Sequence, residues 1–140
     1  MKESVASIKL ISLNIARSKH LELVLPFLRR EAPDVVCLQE LLERDIPKFT
    51  EDLGMANYAY AVMLRHMETE GNPLSGAAIF TRLPLMEKRI QYYVGSENDI
   101  PEHRPSEMTE KGSTMNCALV TAQVEKDGTR FRIATTHFTW

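Results

Sequence analysis

The sequence predicts a single α/β domain. Three observations carry that reading. The chain has 140 residues, 44% of them hydrophobic and 26% charged, which suits one ordinary core. Its first forty residues run strand, helix, strand. From Tyr58 onward the pattern changes to a succession of strands that ends in a hairpin.

Ser7–Asn14 (Ser-Ile-Lys-Leu-Ile-Ser-Leu-Asn) is rich in β-branched and apolar residues and reads as the first strand. Ser18 is a candidate cap for the helix that follows, where Leu21, Val24, Leu25 and Leu28 recur at helical spacing. Pro26 falls inside that pattern and is expected to kink or shorten the helix, because it removes a backbone donor. Ala32-Pro33-Asp34 stops it. Asp34–Glu40 (Asp-Val-Val-Cys-Leu-Gln-Glu) is almost continuously apolar, as a strand covered on both faces would be. Strand, helix, strand at this spacing is a βαβ unit, with parallel strands and a right-handed crossover.

A second helix is expected over Asp45–Leu53, with Pro47 in its first turn and Gly54 at its end. Tyr58–Leu64, Ser75–Thr81 and Met86–Val94 read as strands. Gly95–Ser113, polar and broken by prolines and glycines, reads as a long loop. Met115–Val124 and Thr129–Thr136 flank Lys126-Asp127-Gly128, a strong hairpin signal. Its alternate residues Ala118, Val120, Ala122 and Ile133 are expected to face inward.

Seventeen basic against nineteen acidic residues give a net charge of −2. No basic excess announces nucleic acid or an anionic membrane, so any such binding needs a local patch. There is no secretory signal and no apolar run long enough to span a bilayer. Cys37 and Cys117 each lie in an apolar run and are expected to be buried, reduced thiols. A cytoplasmic location is the expectation.

Three polar residues stand at the ends of apolar strands: Asn14, Glu40 and His137. Singly, such residues are more often turn formers, caps or structural groups. Their shared placement says more, because parallel strands bring Asn14 and Glu40 to one edge, and the carboxyl edge of such sheets is where ligands bind. The chemistry suggested is hydrolysis of a phosphate ester with a hard divalent metal. Mg²⁺ takes oxygen ligands and usually only one or two protein carboxylates. Glu40 supplies one, Asn14 an amide for the metal or the phosphate, and His137 a donor to the phosphate.

Ser12-Leu13-Asn14-Ile15, Pro33-Asp34-Val35-Val36-Cys37-Leu38-Gln39-Glu40, Gly76-Ala77-Ala78-Ile79-Phe80-Thr81-Arg82 and Ala134-Thr135-Thr136-His137-Phe138 occur in this order. Together they resemble the endonuclease/exonuclease/phosphatase superfamily. The Thr-His-Phe segment resembles the branch containing pancreatic-type deoxyribonucleases, neutral sphingomyelinases and tyrosyl-DNA phosphodiesterases. The resemblance implies a DNase I-like α/β sandwich, two sheets packed face to face with helices outside. It also implies a Mg²⁺-dependent phosphodiesterase, nuclease or phosphatase, with Mn²⁺ as a substitute ion. Carried over, Glu40 is the metal ligand, Asn14 a metal or phosphate contact, and His137 the phosphate-binding and proton-transfer residue.

The family's Gly-Asp-x-Asn and Ser-Asp-His motifs do not follow His137. Residues 1–140 are therefore expected to be the N-terminal portion of one such domain, poorly active alone, with an exposed sheet edge open to self-association or a partner segment. The alternatives are a non-catalytic interaction module that keeps the fold, and a plain α/β domain in which the three residues are structural. The resemblance implies a phosphate-ester substrate, with nucleic acid, sphingolipid and inositol phosphate all compatible with the scaffold.

Overall fold

The structure is a computed structural model and describes residues 5–107 and 115–138. Its elements are β1 (Leu10–Asn14), α1 (Leu21–Glu31), β2 (Val35–Leu42), β3 (Asn57–His66), β4 (Leu74–Thr81), β5 (Leu85–Val94), β6 (Glu102–His103), β7 (Cys117–Lys126) and β8 (Thr129–Thr135). They form a five-stranded sheet in the order β1-β2-β4-β3-β6 and a three-stranded sheet in the order β5-β7-β8. β1 and β2 pair in parallel around α1, as the βαβ pattern requires.

Period-two alternation builds the core. Val35 and Cys37 of β2 face the second sheet together with Ala61 and Ile79, and meet Ala118, Val120, Ala122 and Ile133 of the hairpin. Val36 and Leu38 face the other way, under Leu28 of α1 and Phe49. The continuous apolar run is thus explained by cover on both faces. Phe80 stacks against Phe49 at 5.1 Å and Tyr58 at 5.5 Å between ring centroids. Both cysteines are buried and free, and burial pushes the Cys37 thiol up to about 11, which keeps it protonated and unreactive at neutral pH.

Several elements differ from expectation. α1 runs unbroken through Pro26. The bond Pro26 cannot make would end on Glu22, in the first turn of the helix, so a single link is lost while the apolar stripe stays packed. Ser18 caps nothing in α1; His20 holds that place, and Ser18 Oγ accepts from Leu42 N instead. The expected second helix is a 3₁₀ turn at Glu43–Asp45 and a π-helical turn at Lys48–Asp52. Ile46 and Pro47 carry the helical backbone from the first turn into the second, and Phe49 is buried in the second. The long loop contains β6, two residues too short to leave a pattern, and a 3₁₀ turn at Pro105–Glu107. Its expected remainder, 108–113, lies outside the described residues. At the hairpin, Asp127 and Gly128 both take positive φ, the geometry of a two-residue primed turn.

At the end of β2 far from Glu40, Asp34 clamps the two sheets. It accepts from Lys9 N at 2.8 Å and takes Lys126 Nζ on both oxygens at 2.9 and 3.1 Å. Burial pushes its carboxyl up, but the Lys9 hydrogen bond and the Lys126 ammonium outweigh that, and the net displacement is downward. A folded carboxyl that titrates below its unfolded value stabilises the fold above about pH 4, and loses that contribution as the pH falls through the folded value. Asp34→Asn is therefore expected to lower the urea midpoint at neutral pH and to change it little where the carboxyl is protonated in both states. An equal drop at both pH values would contradict this.

Candidate active site

Two strand ends and a bulge deliver the site. β1 ends at Asn14, and the chain then turns sharply through Ala16, Arg17 and Ser18, all with positive φ. Ala16 N donates to Asn14 Oδ1 at 2.9 Å. That bond fixes the amide, so Asn14 presents its Nδ2 protons to the site. One goes to Glu40 Oε1 at 3.1 Å, and the other contacts His137 Nε2 at 3.3 Å.

Glu40 does not close its strand. β2 continues to Leu42, and Glu40 sits in a bulge with φ 57°. Leu38 pairs with Ala78 and Leu41 with Gly76, so β2 carries one more residue than β4 across this interval. The extra residue returns Leu41 to the Leu38 face, where both pack on α1's side of the sheet. Glu40 is thereby turned out of the alternation toward the sheet end. Opposite the bulge, Gly76 approaches β3 so closely that a Cβ would overlap the Ala61 carbonyl oxygen. Only glycine lets these strands meet there.

His137 arrives from the second sheet. Thr136 Oγ1 donates to Ala118 O at 2.9 Å and contacts Tyr93 OH at 2.8 Å, which ties down the segment after β8. His137 Nε2 lies 3.5 Å from Glu40 Oε1, with the imidazole 13% exposed and the carboxylate 31%. Asn14 and His137 are 123 residues apart in the chain. All three predicted residues come together.

Sequence reasoning misses Gln39. Its Nε2 donates to Thr135 Oγ1 at 3.0 Å and to Ser12 Oγ at 3.3 Å, and so links β2 to β8 across the sheets and to β1 within its own. A polar residue on the inward face of an apolar strand is the available signal. Gln39→Leu is expected to cost about 1–2 kcal/mol, since it takes a hydrogen-bond partner from the buried Thr135 hydroxyl. It should also broaden the His137 ring signals in NMR spectra. A variant with unchanged stability and unchanged ring signals would contradict the role of this link.

Beside the three residues opens a cavity of about 380 Å³. Glu40 and His137 line its mouth, Met63, Leu64 and Met115 give it an apolar wall, and Arg17, His66 and His103 also line it. The notable omission of the sequence reading is His103, which β6 brings opposite His66.

The sequence matches the profile of the Endonuclease/Exonuclease/phosphatase family over residues 11–137, nearly the whole chain. The chain belongs to this family. No curated protein matches it. Solved structures of family members share its fold at low identity. One is an endonuclease/exonuclease/phosphatase family protein from Leptotrichia buccalis, 12% identical, TM-score 0.57, covering 95% of this chain and 55% of that one. A second is D. rerio TDP2 complexed with single-strand DNA product, 19% identical, TM-score 0.58, covering 93% and 45%. A third is a mannosyl-6-phosphatase from Bacteroides thetaiotaomicron, 16% identical, TM-score 0.59, covering 94% and 51%. This endonuclease/exonuclease/phosphatase chain thus spans about half the length of the structures it matches, and its two packed sheets are those of the DNase I-like sandwich. No helix among the described residues is long and apolar enough to cross a membrane.

The donor set fits a hard cation better than a soft one. Among the described residues no three His, Cys, Asp or Glu side chains converge. That leaves one carboxylate, whose Oε2 has no partner there, with a neutral amide and an imidazole beside it. Mg²⁺ accepts such a site because it keeps several waters, whereas a structural Zn²⁺ site needs four protein ligands.

Proposed function

We propose that the chain carries the Asn14–Glu40–His137 part of a divalent-cation-dependent phosphoesterase site. The observation that supports it is the convergence of these three side chains within 3.5 Å of one another at the mouth of a cavity. Glu40 Oε2 is the ligand for Mg²⁺ or Mn²⁺. When bound, the cation draws charge off the phosphoryl oxygens and lowers the pKa of a coordinated water. Asn14, held by the Ala16 amide, turns an Nδ2 proton toward a phosphoryl oxygen. His137 donates from Nε2 to the same group as negative charge builds, the kind of placed donor that stabilises a transition state most. Membership of the family and the polar mouth beside an apolar wall support a phosphate ester with an apolar or aromatic portion. Nucleic acid is one such substrate class.

With Glu40 as the single carboxylate among the described residues lining the cavity, the 140-residue chain is proposed to turn over slowly. The test is the purified chain with excess Mg²⁺ or Mn²⁺ on bis(p-nitrophenyl) phosphate, p-nitrophenyl phosphate and single- and double-stranded DNA, beside titrations of Mn²⁺ alone. Cation binding that Glu40→Gln removes supports the assignment, as does slow hydrolysis that the same change abolishes. Binding and turnover indifferent to Glu40 and His137 would refute it.

A further inference from the structure

The inner end of the cavity holds polar groups that the reaction above leaves unused. His66 is 5% exposed at the end of β3, and Ser75 is about as deeply buried on β4. His66 Nε2 meets Ser75 Oγ at 2.7 Å. A hydroxyl has one proton, and Ser75 has no other acceptor among the described residues, so the economical arrangement has Ser75 donating to Nε2. His66 Nδ1 then carries the ring proton, and it is buried with no partner among the described residues. His103, in register with His66 across the β3–β6 pair, packs edge-on to it at 6.1 Å and has a buried Nδ1 that also lacks a partner among the described residues. Arg17 lines the same space, and no ion pair or hydrogen bond holds its guanidinium among the described residues. Buried polar nitrogens without partners are uncommon and costly, so the coincidence of two of them beside a guanidinium marks a place for an anionic oxygen, which the His66 Nδ1 proton and Arg17 can meet.

We propose that Arg17, His66 and His103 form a second anion subsite, which takes a second phosphate group of an ester whose scissile phosphate lies at Asn14, Glu40 and His137. This deepens the phosphoesterase reading and rests on it for the position of the scissile group. The substrate class is an ester with two phosphates, either a small bisphosphate or a strand with a neighbouring phosphate. The groups facing His66 agree with this. Burial, then Arg17 and His103, hold its imidazole below its ordinary value, with Glu40 as the opposing influence, and a bound anion would offset the two cations. Ser75 fixes the ring so that Nδ1 stays a donor.

The experiment titrates inorganic pyrophosphate and, separately, inorganic phosphate into the metal-free chain while the histidine ring resonances are followed by NMR. Pyrophosphate is expected to move the His66 and His103 signals saturably and to bind about tenfold more tightly than phosphate. Arg17→Gln and His103→Gln should each weaken it by about tenfold, the worth of one charge-assisted hydrogen bond. Both positions are less buried than His66, and an unchanged amide spectrum checks the fold. Two further arms, adenosine 3′,5′-bisphosphate and 5′-phosphorylated dTpdT, each carry the required pair of phosphates, and the tighter of the two names the source. A pyrophosphate response confined to His137, or affinity unaffected by both variants, overturns the proposal. Because no metal or turnover enters the measurement, a chain that binds pyrophosphate at these rings yet never hydrolyses an ester keeps the subsite and loses only the phosphoesterase reading. A chain that hydrolyses through Glu40 with silent His66 and His103 rings loses the subsite alone.

Discussion

Replacing Glu40 by Gln is expected to remove divalent-cation binding and to lower any ester hydrolysis supported by this site by about 10²–10⁴-fold, the range for losing a placed catalytic group. The substitution keeps size and hydrogen-bonding capacity but removes the one carboxylate at the site. Asn14 Nδ2 still finds an oxygen, so the Asn14 position should hold. The structural cost should be small, because Glu40 is a third exposed and its ionic partner is a histidine at 3.5 Å. Mn²⁺ titration with paramagnetic broadening reads the binding, and a urea midpoint reads the fold. Retained Mn²⁺ broadening around Asn14 in a folded Glu40→Gln protein would remove Glu40 from the cation site.

Phe80→Ala is the substitution expected to damage the fold most. Phe80 is fully buried on β4 between the rings of Phe49 and Tyr58, in the cluster that seats α1 and the π-helical turn on the larger sheet. Truncation removes the transfer energy of a large ring and leaves a cavity between two aromatics that cannot close on each other, for about 3–5 kcal/mol. That is a large part of the roughly 5–15 kcal/mol that holds a domain together. The chain should be unfolded or aggregated at 37 °C, with no cooperative urea transition. A cooperative transition shifted by less than about 1 kcal/mol would mean that Phe49 and Tyr58 collapse into the gap.

Where periodicity is strong and local, the sequence and the structure agree. The alternation in the hairpin places Ala118, Val120, Ala122 and Ile133 in the core, and the doubly apolar β2 is covered on both faces. Asn14, Glu40 and His137 stand out in the sequence because each interrupts or follows an apolar run. The features that escape it have no local signature. The bulge at Glu40 depends on the register of β2 against β4, which no single strand records. β6 is two residues long, and its pairing with His66 is a long-range event, so His103 reads as one more loop residue. Gln39 reads as part of the strand end, since the hydroxyl it seeks lies 96 residues away. The helical pattern after Asp45 is borne out as an unbroken helical run, but its change of pitch, tight at Glu43–Asp45 and wide at Lys48–Asp52, has no signature in composition.

The left-handed backbone at Glu40 sets foldedness against chemistry at a single codon. At φ 57° any side chain with a Cβ is strained by about 1–2 kcal/mol, and glycine is not. In a library sorted only for resistance to heat or protease, the Glu40→Gly variant should rise above the parent, and the winning clones would be the ones that had discarded their carboxylate. A second round sorted for cation binding should reverse the enrichment. Persistence of glutamate under a purely thermal screen would therefore be informative too: it would mean that the Asn14 and His137 contacts offset the backbone strain without any help from a ligand.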